Sequence, residues 1–181
     1  MSALTRNPIN KDILQSTKFR LNFLRLPEVT YFCQTAMLPG VSLTEVPRNT
    51  PFVDLYSPGE KIQYDPMTIS FLVDEDIQSW LHIHDWIRAC TFPTKFEEYR
   101  NLQKLNMGAT GRNVQKAMPQ FSDATLSIYT NKNNPNIRVK FYDMFPVTLD
   151  GLQFSSMDSA ENIITATATF RFSYFNIDKI S

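Results

Sequence analysis

Residues 163–177, IITATATFRFSYFNI, form the longest run in the chain whose pattern admits one reading. Ile164, Ala166, Ala168, Phe170, Phe172 and Tyr174 make an apolar and aromatic face. Thr165, Thr167, Thr169, Arg171 and Ser173 make a polar one. Strict period-two alternation, rich in β-branched and aromatic residues and free of Gly and Pro, predicts a strand with one face on a core and one face wet. A dozen residues at about 3.3 Å apiece reach about 40 Å, roughly twice the usual strand. Such a strand either bends within a small barrel or belongs to a larger sheet.

The rest of the chain supplies a core to pack on. In 181 residues, 43% are hydrophobic, enough for one domain over residues 1–181. Lys plus Arg equals Asp plus Glu at 18 each, so no bulk charge argues for binding nucleic acid or an anionic membrane. Cys33 and Cys90 lie far apart without metal-ligand or CxxC spacing and read as buried thiols. Residues 1–16 lack an apolar signal core, and no run of 18 apolar residues occurs. The expectation is a protein neither secreted by the usual signal nor inserted in a membrane, in a reducing compartment.

Taken in order, residues 1–17 are polar and mixed and read as an N-terminal arm. Residues 19–26 alternate as a first strand, Pro27-Glu28 reads as a turn, and residues 29–36 read as a second strand closing a hairpin. Leu38-Pro39-Gly40 breaks that strand. Residues 41–66 carry Pro47, Pro51, Pro58 and Pro66 between short extended pieces, which excludes a compact helix and predicts a projecting contact arm. Residues 67–73 are a strand with Met67, Ile69, Phe71 and Val73 on one face. Asp74, Glu75 and Asp76 then supply an N-cap and an acidic first turn to a helix over about 77–90. Its predicted buried stripe is Ile77, Trp80, Leu81, His84 and Ile87, and Thr91-Phe92-Pro93 ends it. A weaker helical pattern covers 94–105, and the glycines and proline of 106–120 predict a mobile loop. Strands are expected at 124–130 and 137–142, joined by a polar turn, with bends at Pro146 and at Asp150-Gly151 and a polar turn at 155–162.

No constellation assembles an active site. His82 and His84 spell HxH, but on a helix residues i and i+2 point about 200° apart and do not share one metal. Asp74, Glu75, Asp76 and Asp85 could pair as acid and base, yet capping accounts for the first three. Cys90 lies six residues from His84 on another side of the helix, unsuited to a thiol and its base. Gly108 to Gly111 is too short for a phosphate loop and lacks the GK[ST] ending. Most phenylalanines fall on the apolar faces of predicted strands, where core packing explains them. The expectation is no enzyme, no metal and no cofactor.

The order of these pieces resembles the tail tube proteins of contractile-tailed bacteriophages, whose fold is shared with the tube proteins of type VI secretion. The resemblance spans roughly 19–177. It rests on a strand ending in FCQTAMLPG (32–40), a long extended segment, MTISFLVDED (67–76) leading into the helix with Trp86, Phe145-Pro146 with a Leu-containing turn, and the final alternating strand. It implies a mainly β fold, a barrel or sandwich with one flanking amphipathic helix. It also implies homo-hexameric rings stacked into a hollow tube whose lumen holds the tape-measure protein and then conducts DNA. Further implied partners are the tail sheath, baseplate and tail-terminator proteins, in a virion tail assembled in the host bacterial cytoplasm.

On this likeness, Thr165, Thr167, Thr169, Arg171 and Ser173 are expected to face the lumen, since hydroxyls offer no strong positive charge to trap a phosphate backbone. The alternative is the solvent face of a monomer's sheet. Val46, Pro47, Arg48, Asn49, Phe52 and Tyr56 of the 41–66 arm are expected to make ring-to-ring contacts. The loop 106–120 and the Pro-dense arm depart from the family pattern and leave open a tube-initiator or baseplate ring, or the tube of a phage-like secretion machine. A monomeric ligand-binding β-barrel is the reading from another class.

Overall fold

The computed structural model describes residues 12–91, 120–157 and 162–180, together with 93, 95–97 and 100. Most of the N-terminal arm, of the expected second helix at 94–105, and of the loop at 106–120 lies outside the described residues, as does the middle of the 155–162 turn.

The elements are β1 (Phe19–Phe23), α1 (Pro27–Phe32), β2 (Cys33–Ala36), β3 (Val41–Asn49), β4 (Asp54–Tyr64), β5 (Met67–Leu72), α2 (Gln78–Thr91), β6 (Ser122–Tyr129), β7 (Pro135–Leu149), β8 (Thr165–Arg171) and β9 (Tyr174–Lys179). Seven strands make one antiparallel sheet in the order β1-β6-β7-β8-β5-β2, with β9 also on β7. β3 and β4 form a separate hairpin. This is the expected mainly β architecture with a flanking helix.

The sheet folds on itself because β7 turns a corner. Its N-terminal half pairs with β6 and β9, its C-terminal half with β8. At the corner Asp143 takes φ 54°, a left-handed conformation that Asp tolerates better than most residues, and its N–H donates to Asp123 Oδ1 at 3.2 Å. The opposing chain breaks at the same place. Phe145 faces Arg171 and Tyr142 faces Tyr174, so residues 172–173 span the corner while the register carries through. The expected single strand at 163–177 is therefore two strands, β8 and β9, bent around a barrel corner. The bend also changes which residues face inward. Phe175 joins the core, while Tyr174 stacks on Tyr142 with centroids 4.7 Å apart.

Two other expectations are corrected. Residues 27–32 form α1 rather than a strand, and β2 pairs with β5, not with β1. Pro27 suits the first helical position, where its missing N–H is no loss. The Thr30 hydroxyl then ties the turn down, accepting from Phe23 N at 2.9 Å and donating to Leu26 O at 3.0 Å. The second correction concerns Pro146. β7 runs through it, with an irregularity in its pairing to β8 between Pro146 and Thr148, and turns at Asp143.

The core joins Leu21, Phe23, Met67, Ile69, Phe71, Val139, Phe141, Ala166, Ala168 and Phe170 from the sheet with Val29 of α1 and Ile83, Trp86 and Ala89 of α2. The fully buried stripe of α2 is thus Ser79, Ile83, Trp86 and Ala89; of the expected Ile77, Trp80, Leu81, His84 and Ile87, Trp80 and Ile87 pack against the core while only partly buried. Both stripes repeat every three to four residues, and the helix is apolar on two adjacent sides. Trp86 and Ile83 win the inner side, with Trp86 against Phe170 at 6.3 Å between centroids.

Asp74 caps α2 from outside it. Its carboxylate accepts from Gln78 N at 3.1 Å, Ser79 N at 2.9 Å and the buried Ser79 hydroxyl at 2.6 Å. Glu75 and Asp76 precede the helix, which has no acid in its first turn. Partial burial of the Asp74 carboxyl raises its pKa, but these hydrogen bonds outweigh that and hold it below the usual carboxylate value.

Candidate functional site

Three surfaces lie outside the core, and each follows from strand alternation or helix periodicity. The first is the outer face of the half-sheet β2-β5-β8-β7. Because β5 and β8 bury every second residue, Thr68 and Ser70 on β5 and Thr165, Thr167 and Thr169 on β8 turn outward. Register then places them side by side, Thr68 facing Thr169 and Ser70 facing Thr167. The neighbouring strands extend the pattern, with Thr148 of β7 facing Thr169 and Thr35 of β2 facing Ser70. Thr35 and Ser70 share a hydroxyl hydrogen bond of 2.7 Å.

The result is a face paved with hydroxyls across four strands. Of the five residues singled out from sequence, Thr165, Thr167, Thr169 and Arg171 lie on β8, while Ser173 sits in the corner between β8 and β9. Arg171 Nη1 donates to Tyr64 O at 3.1 Å, which directs that cation to the base of the β3–β4 hairpin. Thr35, Thr68, Ser70 and Thr148 were missed by sequence reading. Their strands could be found singly, but only pairing brings them together.

The second surface is the hairpin itself, the expected contact arm. No residue of 41–66 belongs to the buried core. The hairpin is anchored at its base by Asp65 N donating to Gly40 O at 3.0 Å and by the Tyr64 ring on Phe172 and Phe175. Val46, Pro47, Arg48 and Asn49 lie on β3 and Tyr56 on β4, and Phe52 at the tip is 98% exposed. Pairing sorts these residues onto two sides. Val46 faces Ser57 and Arg48 faces Leu55 on one, while Glu45, Pro47 and Asn49 face Pro58, Tyr56 and Asp54 on the other. Val41, Leu43, Val46, Phe52, Val53, Leu55, Tyr56 and Ile62 are all exposed. A lone two-stranded hairpin is marginal in water, and this one carries exposed apolar side chains on both strands and at its tip.

The third surface is the outer stripe of α2. Ile77, Trp80 and Leu81 join Asp76, Leu152 and Phe154 around a groove of about 380 Å³. Leu81 is 37% and Phe154 71% exposed. Trp80 is held by its indole N–H donating to Asp150 O at 2.9 Å and by His84 stacked on it at 5.1 Å. Ile77 adopts φ 57°, a strained conformation for a β-branched residue.

The histidines serve neighbours rather than one another. His82 Nδ1 meets Glu28 Oε2 at 3.0 Å, joining α2 to α1, while His84 meets Asp85 Oδ1 at 3.3 Å. Among the described residues, no three His, Cys, Asp or Glu side chains are grouped to hold a metal. Cys33 and Cys90 are free thiols. Burial pushes Cys33 up to about 11 and also raises Cys90, where the nearby Arg25 guanidinium offsets part of the effect. Neither is an activated nucleophile.

Comparison with known proteins gives one consistent answer. Residues 7–178 match a family model described as phage tail tube protein. A stretch of 124 residues is 28% identical to the tail tube terminator protein of Enterobacteria phage T4, covering 67% of this chain and 61% of that relative. Less than two thirds of the relative's length is therefore spanned. Among solved structures, the anti-feeding prophage tube terminating cap superposes with a TM-score of 0.61 at 12% identity, over 99% of this chain and 100% of that one. The sheath-tube complex of an extracellular contractile injection system gives 0.56 at 12% identity, over 94% of each chain.

Proposed function

The chain belongs to the phage tail tube protein family, and on that premise we propose that it is a ring-forming structural subunit of a contractile-type tail tube. The observation that carries this reading is the hydroxyl-paved face of β2, β5, β8 and β7, a water-binding wall four strands wide with Arg171 at one end. Thr165, Thr167 and Thr169 face the lumen at its centre, with Arg171 and Ser173 at the hairpin end. In six copies this face encloses the path of the tape-measure protein and then of DNA. Hydroxyls bind water without holding phosphates, so the polymer passes rather than sticks. The exposed β3–β4 hairpin, through Val46, Pro47, Arg48, Asn49, Phe52 and Tyr56, contacts the neighbouring ring. The opposite side of the ring meets the sheath, and the ends of the tube meet baseplate and terminator proteins. Assembly takes place in the host bacterial cytoplasm.

A second reading, a single ring that ends the tube, is favoured by the alignment with the T4 tail tube terminator protein. Negative-stain microscopy of the purified chain separates the two. Stacked tubes identify a repeating subunit, isolated rings with a central hole identify a tube-end ring, and featureless monomers at high concentration reject both. A map of the assembled ring with Thr165, Thr167 and Thr169 against another subunit, or on the outside, refutes the lumen assignment.

A further inference from the structure

We propose that the groove on the outer stripe of α2 receives the β3–β4 hairpin tip of a second copy of the chain, a head-to-tail joint that rests on the stacking reading above and names its receptor.

The first argument is position. β5 begins directly after the hairpin base and ends at the turn that opens the groove, with Tyr64 before Met67 and Asp76 after Leu72. β8 runs alongside in the opposite direction. Its Thr165 faces Leu72 at the groove end, and its Arg171 binds Tyr64 O at the hairpin end. The hairpin base and the groove therefore lie at opposite ends of the strands that carry the hydroxyl face. A joint between two different patches at opposite ends is heterologous and propagates in line. Copies so joined would keep their hydroxyl faces continuous along the stack.

The second argument is chemical fit. The groove walls are Ile77, Trp80, Leu81, Leu152 and Phe154, and its volume of about 380 Å³, at the small end of clefts that seat ligands, leaves room for an aromatic anchor. Phe52 is such an anchor, at the apex of an arm whose β4 reaches about 35 Å at roughly 3.3 Å per residue. Charge follows suit. Asp76 lines the groove, Glu75 precedes it, and Asp150 meets the groove's Trp80 through its backbone carbonyl. On the hairpin, the Val46–Ser57 and Arg48–Leu55 side bears a cation and no acid, whereas the other side bears Glu45 and Asp54. Only the first side suits an acidic rim. Ile77, at φ 57°, sits in the turn that opens α2, its N–H donating to Asp74 O and its carbonyl accepting from Leu81 N, both at 2.9 Å, and that turn places it at the groove.

The test uses the full chain with the photoreactive residue benzoyl-phenylalanine in place of Phe52. After irradiation of the assembled protein, adducts are mapped by peptide mass spectrometry. The expected adducts fall on residues 76–81 and 152–154 of another copy. Phe52→Ala should raise the protein concentration needed for stacking by about tenfold or more, as loss of a central aromatic anchor does. Arg48→Glu should raise it a few fold, as rim charges do, and Asp76→Lys in the same chain should restore it. Stacks that form with adducts elsewhere, or without charge-swap rescue, overturn the groove assignment and leave the stacking reading standing. Particles that never stack and give no adducts overturn both.

Discussion

Excising the hairpin tests whether it belongs to the fold or to the assembly. Ser42 and Gln63 face each other in the register of β3 and β4, so replacing residues 43–62 by Asn-Gly closes the ladder with a two-residue turn of favoured twist. The excised segment contributes no side chain to the core, and the variant keeps the base contacts, namely Tyr64 on Phe172 and Phe175 and Asp65 N on Gly40 O. The lost pairing is that of an isolated two-stranded ribbon, worth about nothing net. Closing a two-residue turn instead of a loop of about twenty residues returns about 2 kcal/mol at most, since each doubling of length costs about 0.6 kcal/mol. The melting temperature should therefore hold or rise by up to about 6 °C, taking about 3 °C per kcal/mol for a domain of this size. Circular dichroism melts give this number, and sedimentation with negative-stain images gives the assembly state. Stacks should vanish while the monomer melts cooperatively. A fall of more than about 3 °C would mean that the hairpin stabilises the body, and persistence of tubes would refute its role in stacking.

Three further outcomes follow from single residues. Asp74→Ala removes three hydrogen bonds at the start of α2 and leaves the buried Ser79 hydroxyl without its 2.6 Å acceptor, so urea unfolding should show a loss of about 2 kcal/mol at pH 7. Because the folded-state pKa of Asp74 is depressed, its contribution is full above the unfolded carboxylate value near 4 and is lost as pH falls through the lower folded value; the variant's stability deficit should shrink over that acid range. Cys33, raised to about 11, should be about one part in a thousand thiolate at pH 8, so alkylation in the native protein should run about a hundredfold slower than in urea, and equal rates would contradict its burial. Gly59→Ala would set a methyl 2.5 Å from the Thr44 carbonyl oxygen at the irregular pairing between Leu43 and Glu45; it should abolish stacking in sedimentation runs while leaving the thermal melt of the body unchanged.

Alternation made the strands legible, because a half-buried strand writes its inner and outer faces into adjacent residues. Met67 to Leu72 and the Thr-rich run lie within the segments that alternation marks, and Ser122 to Tyr129 starts two residues ahead of the expected 124–130. What failed were features set by long-range packing. Residues 29–36 look extended because Val, Thr, Tyr and Phe favour strands, yet Pro27, the Thr30 hydroxyl and burial of Val29 make the first half helical. The stripe on α2 was misassigned because the helix is apolar on two sides, and periodicity alone does not choose which side meets a sheet. The corner at Asp143 left no pattern of its own; it shows only when residues 172–173 must cross from one half-sheet to the other. For the candidate surfaces, the β8 row and the hairpin were readable locally, while Thr35, Thr68, Ser70 and Thr148 needed register to join them.

The misassigned stripe bears on the choice between a repeating ring and a tube end. Leu81 is exposed on the outer side of α2, where it lines a groove with the half-buried Ile77 and Trp80, and Phe52 belongs to a tip that the core of the same chain does not cover. A heterologous joint that carries both its halves on every copy runs on until something interrupts it. A subunit that repeats needs both halves open. A ring that ends a tube needs one half open toward the tube and the other closed, or stacking would continue past it. If purified chains give only single rings that still yield adducts, ring formation buries the α2 groove or the hairpin tip. Benzoyl-phenylalanine at position 52 would then report contact with a neighbour in the same ring, and Phe52→Ala would break rings instead of stacks.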